Sequence, residues 1–395
     1  MKIALLTDGI YPYIVGGMQK HSYYLAKYLV NQGIDVDLYH FIPNYIARQP
    51  IDISAFFTPD EQAKIHFIQI DFTESVWFPG HYLYHSYFYS VNVYKVLSKN
   101  LQDIDFIYVQ GFAGWKLFIE KTKQPKTLPP IGINFHGLEV FQKSASTKDF
   151  FSKFLLLNPI KYSIKKSDYI FSLGGKLTRI LEKMKLNKVK IIEIPIGIDA
   201  KYFAHADLVK PNRTIKKFIF IGRFERRKGI QELNKALQAV SKLYQFEFHF
   251  VGDIPRHMQL NQPNITYHGI LHNEYEVINL LQDTDVLVCP SYSEGMPTVI
   301  LEAMANKCTI IATDVGAVQC LVNEHTGWLI APGNICELKE AIINAIHTKN
   351  DDMKQKQNNA QTVVKNHYMW HWVIQQTVST LQNIVKNHKE NKSIS

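Results

Sequence analysis

Residues 291–302 read Ser-Tyr-Ser-Glu-Gly-Met-Pro-Thr-Val-Ile-Leu-Glu, setting two carboxylates, Glu294 and Glu302, eight positions apart around a glycine and a proline. The apolar run Val286-Leu-Val-Cys-Pro290 before them is long enough for one buried parallel strand. Ser293, Gly295 and Pro297 break that pattern, and Pro297 suits the first position of a new helix, where its missing N–H costs nothing. Val299, Ile300, Ala303 and Met304 continue at helical spacing. The stretch therefore predicts strand, tight loop and helix. The free N–H groups of Gly295 and Met296 would point outward as an anion site, and Gly295 has no side chain to hold a phosphate away. Carboxylates repel phosphate, so Glu294 and Glu302 are expected on neutral hydroxyl groups: Glu294 on a transferred sugar, Glu302 on a ribose. The competing reading is a surface loop with one capping and one solvated glutamate.

A second constellation is Phe218-Ile-Phe-Ile-Gly-Arg223-Phe-Glu-Arg-Arg-Lys228-Gly229. A strand ending at Gly222 puts Arg223 at its carboxyl end and Lys228 at the start of the next helix. A guanidinium fork and an ammonium converging there would offset the charge of a departing diphosphate. Arg226 and Arg227 are expected to be a solvated basic turn. The pair Gly16-Gly17 after the first strand could let backbone approach a phosphate or an acceptor, although it is not the G-x-G-x-x-G fingerprint. His136 stands at a strand's carboxyl end before Gly137, which favours a site role over a structural one. The D-x-D strings at 35–37, 103–105 and 283–285 each precede a strand, at the edge opposite such sites, so no obligatory metal is expected. Asp8 lies at a strand exit but stands alone.

These residues need a scaffold of strand exits. Strands are predicted at 2–7, 35–41, 64–70, 106–110, 131–136, 169–173 and 190–195, alternating with helical segments such as the one bearing Met18, Leu25, Ala26 and Leu29 on one face. After a polar stretch at 199–216 the pattern restarts, with strands at 218–222, 246–252, 265–269, 286–290, 309–314 and 328–330. The expected fold is α/β: two Rossmann-like, doubly wound domains facing across a cleft, with ligands beyond the carboxyl ends of the strands. The expected division is an acceptor-side domain at 1–198, a linker at 199–216, a nucleotide-sugar domain at 217–365, and a terminal helix at 366–395 packing back on the first domain. Residues 351–359 read as a polar interruption and 387–395 as a frayed end.

A chain of 395 residues, 46% hydrophobic and 20% charged, can bury two or three domain cores. No run approaches a bilayer-spanning length, and the opening residues read as a strand rather than a leader. Cys289, Cys308, Cys320 and Cys336 lie far apart and read as core thiols of a reducing cytoplasm. The net charge of +9 is concentrated at 121–190, where 15 Lys and Arg face four Asp and Glu. Apolar groups at 150–160 lie within that belt, and residues 77–89 are rich in aromatics. Peripheral attachment to an anionic membrane surface competes here with a plain solvated basic face. Nucleic acid would explain the charge but leave Glu294 and Glu302 idle.

Together these motifs resemble the retaining glycosyltransferases of family 4, which have the GT-B fold. The resemblance is carried by Gly16-Gly17, His136-Gly137, Ile196-Gly-Ile-Asp199, Gly222-Arg223 through Lys228-Gly229, Pro290-Ser291, Glu294 with Glu302, and Thr326-Gly327-Trp-Leu. It implies that Arg223 and Lys228 hold a donor diphosphate, Glu294 contacts the donor sugar, Glu302 takes the ribose hydroxyls, and His136 lies beside the transferred sugar. Gly16, Gly17, Gly295, Met296 and Pro297 complete the implied donor site. The implied donor is a nucleotide diphosphate sugar, a UDP-sugar ahead of a GDP-sugar, with no cofactor, and the acceptor a glycan or lipid-linked saccharide of the cell envelope. The alternatives are a non-catalytic nucleotide-sugar-binding partner and a phosphorylase on the same fold. The sequence departs from the family after Asp314-Val-Gly316, where Ala317-Val-Gln-Cys320 replaces the usual Gly-x-Pro-Glu.

Overall fold

A computed structural model of the chain describes residues 1–14, 16–43, 52–72, 78, 80–123, 128–203 and 210–394. Trp77 and Pro79 of the aromatic stretch, residues 204–209 of the expected linker, and Ser395 lie outside the described residues.

Thirteen strands form two all-parallel sheets among the described residues. The first sheet holds β1 (Lys2–Leu6), β2 (Asp35–His40), β3 (Ile65–Gln69), β4 (Phe106–Gln110), β5 (Ile131–Asn134), β6 (Tyr169–Ser172) and β7 (Ile191–Glu193). The second holds β8 (Lys217–Ile221), β9 (Glu247–Val251), β10 (Ile265–Tyr267), β11 (Val286–Cys289), β12 (Thr309–Thr313) and β13 (Gly327–Ile330). Their order is β3-β2-β1-β4-β5-β6-β7 and β10-β9-β8-β11-β12-β13. Strand order therefore reverses between β1 and β4 in one sheet and between β8 and β11 in the other, the two places where such sheets open a crevice for ligands. Central strands such as β4, β11 and β12 are buried along their length because helices cover both sides.

The two sheets meet by their carboxyl edges. The Lys176 N–H, just past β6, donates to Gly316 O at 2.9 Å beyond β12, and the Lys176 ammonium pairs with Asp314 at 2.8 Å. On another side, Ile198 exchanges backbone bonds with the last segment of chain: Ile198 N donates to Tyr368 O at 2.7 Å and Trp370 N to Ile198 O at 3.1 Å. The helix Trp370–Ile394 then lies along the helix Gly17–Asn31 of the first sheet. Trp370, 1% exposed, stacks on Tyr28 and leaves no room for a side chain at Gly197, whose Cβ would fall 2.5 Å from the indole.

Several expectations are corrected. Residues 351–359 are not an interruption: they lie within the helix Asn350–His367, which buries Met353, Gln357, Ala360 and Val364 at helical spacing while its polar residues face out. The polar end after 387 continues as helix to Ile394, its charges lying on the solvent side. Asp35 and Asp37 sit in β2 itself, and buried Asp37 accepts from Lys2 at 3.1 Å and lies 2.8 Å from His66 Nδ1. Asp105 and Asp285 stand before their strands and accept the N–H of Lys2 and of Lys217, tying strand starts together. Cys289 and Cys308 are buried, but Cys320 and Cys336 are exposed, because they fall on a surface turn and the first turn of a helix.

Candidate active site

The strand exits at the second switch point build a buried charge cluster. After β8 the chain makes one 3-10 turn at Arg226–Lys228, closed by Gly229 in the left-handed region at φ +72°. A Cβ at Gly229 would stand 2.1 Å from Pro290 O, so only glycine lets this turn press on the end of β11. That contact brings Lys228 Nζ to Glu294 Oε1 at 2.6 Å. Ser291 Oγ donates to the same oxygen at 2.7 Å, and Arg227 reaches Oε2 at 3.5 Å. Burial pushes the Glu294 carboxyl up, but Lys228, Arg227 and the bond from Ser291 outweigh it and hold the group below its ordinary value. Glu294 is thus an ionised acceptor in a site that is otherwise cationic.

Arg223 does not converge on this cluster: its side chain is 67% exposed and pairs with Glu225 at 3.0 Å. The turn folds back on itself, so Arg227 rather than Arg223 points inward, bonding Glu225 at 2.7 Å and approaching Glu139 of the other sheet at 3.7 Å. Arg226 is not merely solvated either; it forks onto Glu232 at 2.7 and 2.9 Å and lies over the Tyr292 ring. Pro297 is the N-cap of the helix Thr298–Ala305 and not its first residue, so the helix begins one residue later than expected, and Met296 is buried beside it.

The opposite wall comes from the first sheet. His136 follows β5 with φ +56°, and Leu138 follows with φ +43°, two strained left-handed residues in one short loop. The loop drives His136 O against Gly295, where a Cβ would lie 2.8 Å away. The glycine at 295 therefore accommodates the facing domain. His136 Nε2 lies 2.6 Å from Gln110 Oε1 at the end of β4, and its ring meets His21 edge-on at 4.9 Å. Burial, then His21, hold its imidazole well below the ordinary range, so it is neutral at pH 7 and Nε2 carries the proton toward Gln110.

Gly16 caps the helix Gly17–Asn31, with extended backbone and open space around Gly17. That helix delivers Lys20 across the cleft to Glu274 at 2.8 Å and Glu302 at 3.9 Å. Tyr202 OH donates to Glu302 at 3.2 Å, and Lys201 pairs with Glu274. Glu302 thus lines a hollow with Lys20, Tyr24, Asp199 and Tyr202, whereas Glu294 is held apart from that set by Lys228, Arg227 and Ser291.

The two halves match two family models: residues 15–202 the one described as Glycosyltransferase Family 4, and residues 215–348 the one described as Glycosyl transferases group 1. The chain belongs to the family 4 glycosyltransferases. Its fold is GT-B: a solved sucrose-phosphate synthase from Thermosynechococcus elongatus superposes with a TM-score of 0.78 at 20% identity, over 98% of this chain and 99% of that one. Among relatives, TuaC of Bacillus subtilis, a glycosyltransferase assigned to teichuronic acid biosynthesis, is 32% identical over 228 residues, 55% of each chain. The Escherichia coli UDP-Gal:alpha-D-GlcNAc-diphosphoundecaprenol alpha-1,3-galactosyltransferase is 29% identical over 190 residues, 44% of this chain and 48% of that one. The chain spans about half the length of these relatives.

One residue of this family 4 chain escapes any sequence signal. Gln142, past the strained loop, sends its amide across the cleft. Its Nε2 donates to Gly137 O at 2.5 Å and Glu294 O at 2.6 Å, while its Oε1 accepts from Gly316 N at 3.1 Å and Glu294 N at 3.4 Å. Lys20 was likewise unmarked, and Arg227, expected in a solvated basic turn, faces inward instead, since nothing in its neighbours sets its direction. Ala317-Val-Gln-Cys320, where the family pattern is broken, forms a 3-10 turn, and Ala317 N donates to Gly295 O at 2.8 Å. Among the described residues, no three or more His, Cys, Asp or Glu are grouped to hold a metal ion.

Asp8, at the exit of β1, has a buried Oδ1 without a hydrogen-bond partner. Burial raises its carboxyl from 3.8 to about 7. An acid raised on folding binds a proton in the native chain that the unfolded chain has lost, so stability falls as pH rises from about 4 to about 7. Asp8→Asn should flatten that fall, as read from melting temperature against pH. An unchanged slope would place the Asp8 carboxylate in water.

Proposed function

We propose that the chain transfers a hexose-type sugar from a nucleotide diphosphate sugar, a UDP-sugar ahead of a GDP-sugar, to a lipid-linked or glycan acceptor in cell-envelope polysaccharide or glycolipid synthesis. The reading rests on one observation: Lys228, Arg227 and Glu294 are packed at the switch point of one sheet, directly opposite the His136–Gly137 loop of the other. In this reading the donor's diphosphate displaces part of that ion-pair set and takes the Lys228 ammonium, with exposed Arg223 available at the same strand exit. Charge that develops on the departing diphosphate is then met by a cation already fixed in place. Glu294, released from Lys228, accepts from the sugar's hydroxyls, and Glu302 from the ribose.

His136, neutral and uncharged on the sugar's side, lines the transferred group without competing for its electrons. The acceptor hydroxyl attacks from the face the leaving group vacates, and the departing phosphate takes its proton, so configuration is retained and no side chain forms a covalent intermediate. No metal ion is required in this scheme. The relatives named for teichuronic acid and for a diphosphoundecaprenol acceptor support the envelope assignment. The test is a panel of UDP- and GDP-sugars scored for release of the nucleoside diphosphate, with the product's anomeric configuration read by NMR. Binding without turnover of any donor would indicate a non-catalytic partner, dependence on inorganic phosphate a phosphorylase, and an inverted product would remove the mechanism.

A further inference from the structure

The helix Thr147–Lys166 carries an outer surface that the sugar-transfer scheme does not use. Phe150, Phe151, Phe154 and Leu155 are between 53% and 69% exposed, and their spacing puts them together over its first two turns. The same surface continues to Lys165 and Lys166, both exposed. Residues 143–166 contain six lysines and one aspartate. Three exposed phenylalanines on one helix are more apolar surface than a solvated helix leaves uncovered.

We propose that this helix docks the protein on an anionic lipid bilayer, the phenylalanines entering the interface and the lysines meeting phosphate headgroups. The inference rests on the proposed lipid-linked acceptor, because the helix begins at the carboxyl edge of the first sheet, where that acceptor would enter. Charge selects the occupant: a second copy of the chain would bring its own lysines against these, whereas an anionic surface neutralises them. Exposure agrees, since Phe150, Phe151, Phe154 and Leu155 all stand out from the helix into solvent. The helix is also braced from beneath. Buried Lys153 donates to Gln142 O at 3.3 Å and Lys143 O at 3.0 Å, so the docking element is tied to the segment that reaches across the cleft.

The experiment sediments the full chain with vesicles of phosphatidylglycerol and phosphatidylcholine in equal parts, or of phosphatidylcholine alone, at low salt. Wild type should bind the first and not the second, and salt should release it. F150S/F151S/F154S and, separately, K165E/K166E should each weaken partition by about tenfold or more, with lipid-free donor hydrolysis unchanged. Absence of sedimentation with anionic vesicles, or equal sedimentation of both variants, overturns the proposal. So does a wild-type dimer in analytical ultracentrifugation that the phenylalanine variant converts to monomer, since the face would then be a self-interface. Donor hydrolysis by wild type is scored apart from binding: failure of the transferase reading shows as absent turnover, failure of docking as absent sedimentation.

Discussion

Lys228→Ala should lower turnover of the nucleotide-sugar donor about 10²- to 10³-fold, the usual cost of removing one prearranged group that meets charge developing in a transition state. The ammonium is held at 2.6 Å from Glu294 by a turn that Gly229 locks onto β11, a position neither neighbouring arginine occupies. Arg227 is already engaged by Glu225 at 2.7 Å, and Arg223 points to solvent. The loss should fall on kcat more than on KM if the cation acts chiefly as the diphosphate departs. A second readout separates this from unfolding. In wild type the Glu294 carboxyl is depressed despite its burial, so it contributes stability at neutral pH that is lost as pH falls through its folded value. Without Lys228, burial dominates. The variant's stability deficit should then be largest near pH 7 and shrink on acidification, when Glu294 takes a proton in both proteins. Near-normal turnover in a folded Lys228→Ala protein would remove Lys228 from the mechanism.

The strands were readable because each buried one is a short apolar run ending in Gly, Pro or Asp, and a parallel sheet needs nothing more local than that. The exits of β8 and β11 could be named from sequence for the same reason. Direction was harder. Arg223 and Arg227 are both arginines of one short stretch between Gly222 and Gly229, and only the fold of the 3-10 turn decides which one enters the cleft. Gly295 was read as room for a phosphate, whereas the visible constraint is His136 O on the other domain, a contact with no trace in the neighbouring sequence. The helix Asn350–His367 was missed because its buried stripe is only Met353, Gln357, Ala360 and Val364, and local polarity outweighed the spacing.

Gln142→Ala should cut kcat about 10- to 100-fold while shifting the melting temperature only slightly, because the amide acts through the loop it holds rather than on the donor. It contacts four backbone groups: Gly137 O in the first domain, the O and N–H of Glu294, and Gly316 N–H in the second. Two donors and one carbonyl serve all four, which makes the side chain a clasp between the histidine loop and the residue that would meet the sugar. Truncation leaves those groups to water, since Gln142 is half-buried, so the stability cost is small. The orientation of Glu294 is what is lost, and a misplacement of an ångström is enough to slow a positioned reaction by the factor given. Gln142→Glu keeps the acceptor half but cannot donate to Gly137 O or Glu294 O, and places a carboxylate beside two carbonyls, so it should do no better than alanine. Gln142→Asn retains both halves on a shorter stem and should recover only part of the rate. Measured kcat and KM for donor hydrolysis should therefore rank Gln above Asn, with Glu and Ala lowest. If all three variants keep wild-type kcat and differ only in melting temperature, Gln142 merely staples the domains and does not position the site.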